Sequence, residues 1–259
     1  MLTVLRFSLR ELARNRWLGA YALFFGAVGW ALFYFGAEPD QAAASVLDLV
    51  VFLVPLVSLV VGVLCFYNAR EYADLLLTQP VSRRAVFVGQ YLAVAVSLAV
   101  PFAIGLAAPF LWYGMSEGAG GTLLLLLLAG LMLTLICVAL AFLISDGTED
   151  RLKALGGALV LWLFFAVIYD GLLLALIMTF PTYQLGRPLV GLALLNPFDL
   201  ARIMILLRLD IAALMGYTGA IFQQFFGARR GLVITLTALS LWIVLPILLG
   251  ARAYTRRDF

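Results

Sequence analysis

The 259-residue sequence has no histidine, two cysteines, a single lysine (Lys153) and only 12% charged residues. Lacking histidine, it lacks the commonest general base and the commonest metal ligand near neutral pH. Cys65 and Cys137 each sit inside an apolar run, so neither a disulfide framework nor a zinc site is expected. No G-x-x-x-x-G-K-[ST] stretch occurs, so the chain has no cradle for nucleotide phosphates. The shortage of charge excludes the most. Soluble domains carry about 25% charged residues. Here 17 basic and 14 acidic side chains accompany 65% hydrophobic residues, and mean hydropathy is +1.10. That balance excludes a soluble enzyme, a nucleic-acid reader and a disordered tail, and it points to a membrane protein.

What the sequence does have is long apolar runs. Six of them, at 17–36, 46–67, 86–113, 122–144, 155–180 and 231–250, are read as spans, since a crossing helix needs about 20 apolar residues. The runs are continuous rather than alternating, which excludes barrel strands. The expected fold is therefore an all-α polytopic membrane protein with six transmembrane helices in one transmembrane domain, residues 1–259. Pro55, Pro101, Pro109 and Pro246 fall within or near the ends of runs, where kinks rather than breaks are expected. The first run lacks a small-residue cleavage site and is read as a retained helix.

Lysine and arginine set the orientation. Arg6, Arg10, Arg14, Arg16, Arg70, Arg83, Arg84, Arg151, Lys153, Arg252, Arg256 and Arg257 fall on one side. The two short loops opposite carry Glu38, Asp40 and Glu117 instead. Both termini are accordingly expected in the cytoplasm. The long loop 181–230 holds Arg187, Arg202, Arg208, Arg229 and Arg230. Within it, residues 211–226 are apolar but too short to span, and they are read as an interfacial or re-entrant helix.

Four segments carry chemistry. Residues 2–16 place Arg6, Arg10 and Arg14 on one helical face, with Leu2, Leu5, Leu9 and Leu12 opposite. This is the pattern of a helix lying among lipid headgroups, with a plain positive flank as the alternative. In 68–90, Leu75, Leu76 and Leu77 interrupt a run with Arg70, Glu71 and Asp74, then Pro80 ends the helix and Ser82 and Arg83 restart the chain. Leucines exposed in a charged loop want a partner surface or lie on lipid. In Asn196-Pro197-Phe198-Asp199, Asn196 is a cap, Pro197 suits the first turn and Asp199 favours the positive helix start. Arg202 is spaced to pair with Asp199. The block is an efficient helix start, an external helix holding a re-entrant loop, or a docking site for a periplasmic partner. Asp170 is the only ionisable residue near the middle of a run; with Tyr169 beside it, it is a candidate gate or a packing hydrogen bond. Cys65, Cys137, Met132, Met178, Met204 and Met215 lack the clustered spacing of a copper path and are read as packing.

The arginine-rich entry RELARNRW, two spans, and L-L-x-x-P-V-S-R before the third span together resemble ABC type-2 transporter permeases. That resemblance covers nearly the whole chain. It implies that residues 2–16 are an elbow helix and that 70–82 form a coupling helix seated in a cytoplasmic ATPase. The family often has Glu-x-x-Gly-Thr before the leucines, whereas this chain has Glu71-Tyr72-Ala73-Asp74. In the C-terminal half, residues 162–176, 194–204 and the ending LPILLGARAYTRRDF resemble the NosY family, permeases of the system that assists maturation of nitrous oxide reductase and its copper sites. This narrower resemblance implies a homodimer in the bacterial inner membrane, a NosF-like ATPase and a periplasmic NosD-like protein. No cofactor is expected in this chain, since ATP and Mg would be bound by the partner ATPase. Two alternatives stay open: a type-2 exporter permease for a lipid, peptide or drug, and a non-transporting membrane anchor of an assembly complex.

Overall fold

The computed structural model describes residues 16–36, 39–77, 83–113, 119–179, 186–209 and 216–256. Among these residues the chain is helical and forms no strand. The helices are α1 (Arg16–Tyr34), α2 (Pro39–Leu77), α3 (Arg83–Trp112), α4 (Ala119–Asp146), α5 (Arg151–Leu163), α6 (Tyr169–Thr179), α7 (Gly186–Ala193), α8 (Pro197–Leu209) and α9 (Gly216–Arg256). A π-helical turn, Phe164–Ile168, joins α5 to α6 into one crossing. Six segments are long and apolar enough to span a membrane: Arg16–Tyr34, Gln41–Ala69, Arg84–Trp112, Gly120–Asp146, Arg151–Thr179 and Arg229–Thr255. These are the six expected spans. Lipid offers no partner to a bare peptide group, so each run closes its hydrogen bonds within one helix. Pro55, Pro101, Pro109 and Pro246 are all accommodated inside helices.

The middle of the bundle is α2, α3 and α4, whose spanning windows are 50%, 50% and 61% buried. The α4 segment is apolar on every side, as a helix enclosed by neighbours must be. Its Leu126, Ala129, Leu133 and Ile136 pack with Val50, Val54 and Leu59 of α2. Close approach depends on glycine at three points. A Cβ on Gly105 of α3 would lie 2.3 Å from the Ala22 carbonyl oxygen of α1. One on Gly130 would strike the Phe102 ring, and one on Gly62 the Ala141 methyl. Small residues at such crossings let membrane helices gain dispersion contacts that larger ones would forbid.

Two features depart from the reading of the sequence. The helix of the second span does not stop where its apolar stretch ends near residue 67: α2 runs on without interruption to Leu77, so the charged 68–77 segment is a helical extension beyond the span. The 197–209 helix is not a surface element. In α8, Phe198, Leu200, Ala201, Ile203, Met204, Ile205, Leu206 and Leu207 are all buried. It packs against α2, α4 and α9 and re-enters the bundle. The apolar residues encircle it, which is why it is enclosed rather than amphipathic. Residues 216–226 are helical and continue into the last span, with the backbone departing from helical geometry at Gly227 (φ 68°, ψ 171°). Residues 2–15 of the expected elbow helix, together with Pro80 and Ser82, lie outside the described residues.

Candidate functional site: a polar corner around the re-entrant helix

The corner begins with the widened turn in the fifth span. The Tyr169 N–H donates to the Phe164 carbonyl, the five-residue spacing of a π turn. Such single turns perturb the regular ladder and recur at functional sites. The Phe165 carbonyl in this turn accepts a hydrogen bond from Asn196 Nδ2 at 3.0 Å. Asn196 is fully buried, and its Oδ1 accepts from the Phe198 N–H at 3.0 Å, capping α8. One amide side chain therefore caps the re-entrant helix and ties it to the fifth span. Two more bonds hold the α7–α8 turn. The Tyr169 hydroxyl donates to the Leu192 carbonyl at 2.5 Å, and Trp242 Nε1 of α9 donates to the Leu194 carbonyl at 3.1 Å.

Charge gathers next to this corner. Arg202 of α8 pairs with Asp48 of α2 at 3.1 Å and with Asp170 of α6 at 3.7 Å. The expected Asp199–Arg202 pair is replaced by these two, because the fold brings acids from two spans to the guanidinium. Asp199 is 7% exposed and points into the same cluster. Burial, then the negative charge of Asp170, pushes its carboxyl up to about 7, against the opposing pull of Arg202 and Asn196. Asp170 lies nine residues from Thr179, so at 1.5 Å per residue it sits about 14 Å in from that end rather than at mid-span. Asp48 lies seven residues from Gln41, about 10 Å in. Charged groups at such depth belong against protein or water rather than lipid. The sequence reading singled out Asp170, Tyr169, Asn196, Pro197, Asp199 and Arg202, and all six meet here. It missed Asp48, although an acid inside an apolar run is the same signal that marked Asp170.

The opposite face is rich in arginine. Arg16, Arg84, Arg151, Lys153 and Arg252 all lie at span ends there. Tyr67, in the last turns of the second span, donates to the Thr148 carbonyl at 2.9 Å, and its oxygen is 2.9 Å from Thr148 Oγ1. Arg151 Nη1 approaches Asn68 Oδ1 at 3.5 Å. Asp150 caps α5 by accepting from the Leu152 N–H at 2.9 Å. The turn between spans four and five is thus fastened to α2 just before its 68–77 extension. Arg70, Glu71, Asp74, Leu75, Leu76 and Leu77 all lie along that extension, and Arg83 opens α3. Cys65 and Cys137 form no disulfide.

Six spans, a re-entrant helix before the last of them and a helix extended beyond the basic face define a polytopic permease. Residues 23–259 match the model of the ABC-2 family transporter proteins, so the chain belongs to that family and is the permease subunit of an ABC transporter. Among individual proteins it is 29% identical to the probable ABC transporter permease protein NosY of Pseudomonas aeruginosa, over 96% of this chain and 93% of that protein. It is 27% identical to the NosY of Stutzerimonas stutzeri, over 98% of this chain and 97% of the relative. The subunit is NosY-like.

Proposed function

We propose that this subunit works as a homodimer in the bacterial inner membrane, with both termini cytoplasmic and with residues 70–82 seated against a NosF-like ATPase that binds ATP and Mg. Together with a periplasmic NosD-like protein, the assembly would support copper-site maturation of nitrous oxide reductase. The observation that carries the coupling role is the uninterrupted α2 helix, which leaves the apolar layer and continues through the charged, leucine-bearing stretch to Leu77. A rigid extension of a span transmits a push on its end directly into the bundle. The Tyr67–Thr148 bonds enlist the turn between spans four and five in the same movement.

The arginine-rich face is the cytoplasmic one by the distribution of cations. The half-exposed side of the Asp48–Arg202–Asp170 cluster then lies toward the periplasm, facing the second copy or a water-filled path. Leu76→Glu tests the coupling assignment. Purified from membranes with its partners, the variant should lose the ATPase while still accumulating as a membrane-integrated chain. Undiminished ATPase association would overturn the assignment of 70–82.

A further inference from the structure

The permease reading leaves the acid–base chemistry of the polar corner unused. Three carboxylates, Asp48, Asp170 and Asp199, gather around one guanidinium, that of Arg202. With all four ionised the cluster would carry a net charge of −2; Asp48 and Asp170 are open, at 66% and 39% side-chain exposure, whereas the Asp199 charge would be buried. Among the described side chains, Arg202 is the one cation that acts on Asp199. Between residues 120 and 145, α4 contains no acidic or basic residue, and Arg229 and Arg230 at the start of the last span are exposed. Tyr169, which neighbours both Asp199 and Asp170, directs its hydroxyl to the Leu192 carbonyl. Asp199 Oδ2 is buried with no hydrogen-bond partner, and the acid that faces it is Asp170. Two carboxylates that face one another are both acceptors, and a buried acceptor without a donor loses the hydration it had in water. A single proton resolves both problems, removing one charge and supplying the missing donor.

We propose that Asp199 and Asp170 form a proton-binding carboxyl pair, in which Asp199 carries the proton and donates it to the Asp170 carboxylate, and that occupancy of this pair controls how firmly Arg202 clamps the re-entrant helix to spans two and five. With the proton bound, Arg202 is shared between Asp48 and Asp170, and α8 is locked to both spans. With the proton released, Asp199 becomes an anion three residues from Arg202 on the same helix. It competes for the guanidinium and faces the like charge of Asp170, and both effects loosen α8 from the fifth span. The step is a simple exchange: one O–H bond forms or breaks, and the proton passes to or from water. The raised Asp199 carboxyl places this exchange near neutral pH. The site is separate from the ATPase contact and holds whether or not residues 70–82 bind an ATPase.

Difference infrared spectroscopy on the full chain in lipid nanodiscs tests it. At about pH 6 the protein should show a carboxylic-acid C=O band that is lost on titration to about pH 8.5. Asp199→Asn should abolish that band, and Asp170→Asn should shift its frequency or its titration midpoint. Absence of a titrating band in the native protein overturns the proposal without reliance on any variant. So does its survival in Asp199→Asn. Loss of the band on adding sodium at constant pH would assign the site to a metal cation and likewise overturn a proton site. A second readout is thermal: the native midpoint should fall between about pH 6 and about pH 8.5, and that of Asp199→Asn should not.

Discussion

Asn196→Ala removes two functions of one buried side chain. The α8 N-terminus loses its cap to the Phe198 N–H, a contact worth about 1 kcal/mol. The Phe165 carbonyl in the π turn loses its donor at the same time, and a buried acceptor left unpaired costs about 1–3 kcal/mol. Asn196 is fully buried, so water cannot replace either bond without opening the corner. The expected loss is about 2–4 kcal/mol, most of it from the orphaned carbonyl. Asn196→Ser separates the contributions: its hydroxyl can still cap α8, so the loss should shrink to about 1–3 kcal/mol. Reversible unfolding of the purified chain in mixed detergent micelles measures both. An alanine variant within about 0.5 kcal/mol of the native protein, the range of an inert surface substitution, would refute the dual role.

Three further outcomes follow from the packing and the charges. Gly105→Ala forces a methyl against the Ala22 carbonyl of the first span, where no flexible atom can move aside, and should cost about 1–3 kcal/mol in the same assay. Gly171→Ala, with nothing near its would-be Cβ, should be neutral or slightly stabilising. Tyr67→Phe severs the bonds to Thr148, and in the complex it should leave ATP hydrolysis intact while weakening its dependence on the membrane subunit, read as the ratio of stimulated to basal ATPase rate. The Asp199 carboxyl is raised in the folded chain, so the native state binds a proton that the unfolded chain releases. Stability should therefore decline as pH rises from about 4 through about 7 and level off above, measured as the unfolding midpoint across a pH series.

The spans were legible because each is a single uninterrupted apolar run, a signal that requires no knowledge of neighbours. The polar corner was legible only in pieces. Asn196, Pro197 and Asp199 read correctly as a helix start, since capping is local. Where that helix goes was not local. Arg202 meets Asp48 across 154 positions of sequence, and a spacing rule of three residues pointed to Asp199 instead. The π turn at Phe164–Ile168 left no trace in residue type, because it answers to Asn196 and the packing around it rather than to backbone propensity. Glycines, which as small residues allow helices to approach closely, divide as well. Gly29 lies tight against Pro109, while Gly156 and Gly171 face open space and further tight crossings fall at Gly62, Gly105 and Gly130. The pattern of small residues marks where helices could approach, and the arrangement of spans selects among those places.

The length of α2 has a mechanical consequence. From Asp48 to Leu76 is 28 residues of one helix, about 42 Å of axis. Pro55 removes one rung of its ladder close to the Asp48 end, and next to that rung Trp162 of the fifth span donates to the Phe52 carbonyl at 3.0 Å. The helix is thus a long arm with a short arm beyond the point at which the fifth span holds it. A tilt imposed at Leu76 reaches the Asp48 end reduced in amplitude and increased in force, like the two ends of a crowbar. The acid gripping Arg202 sits on that short arm.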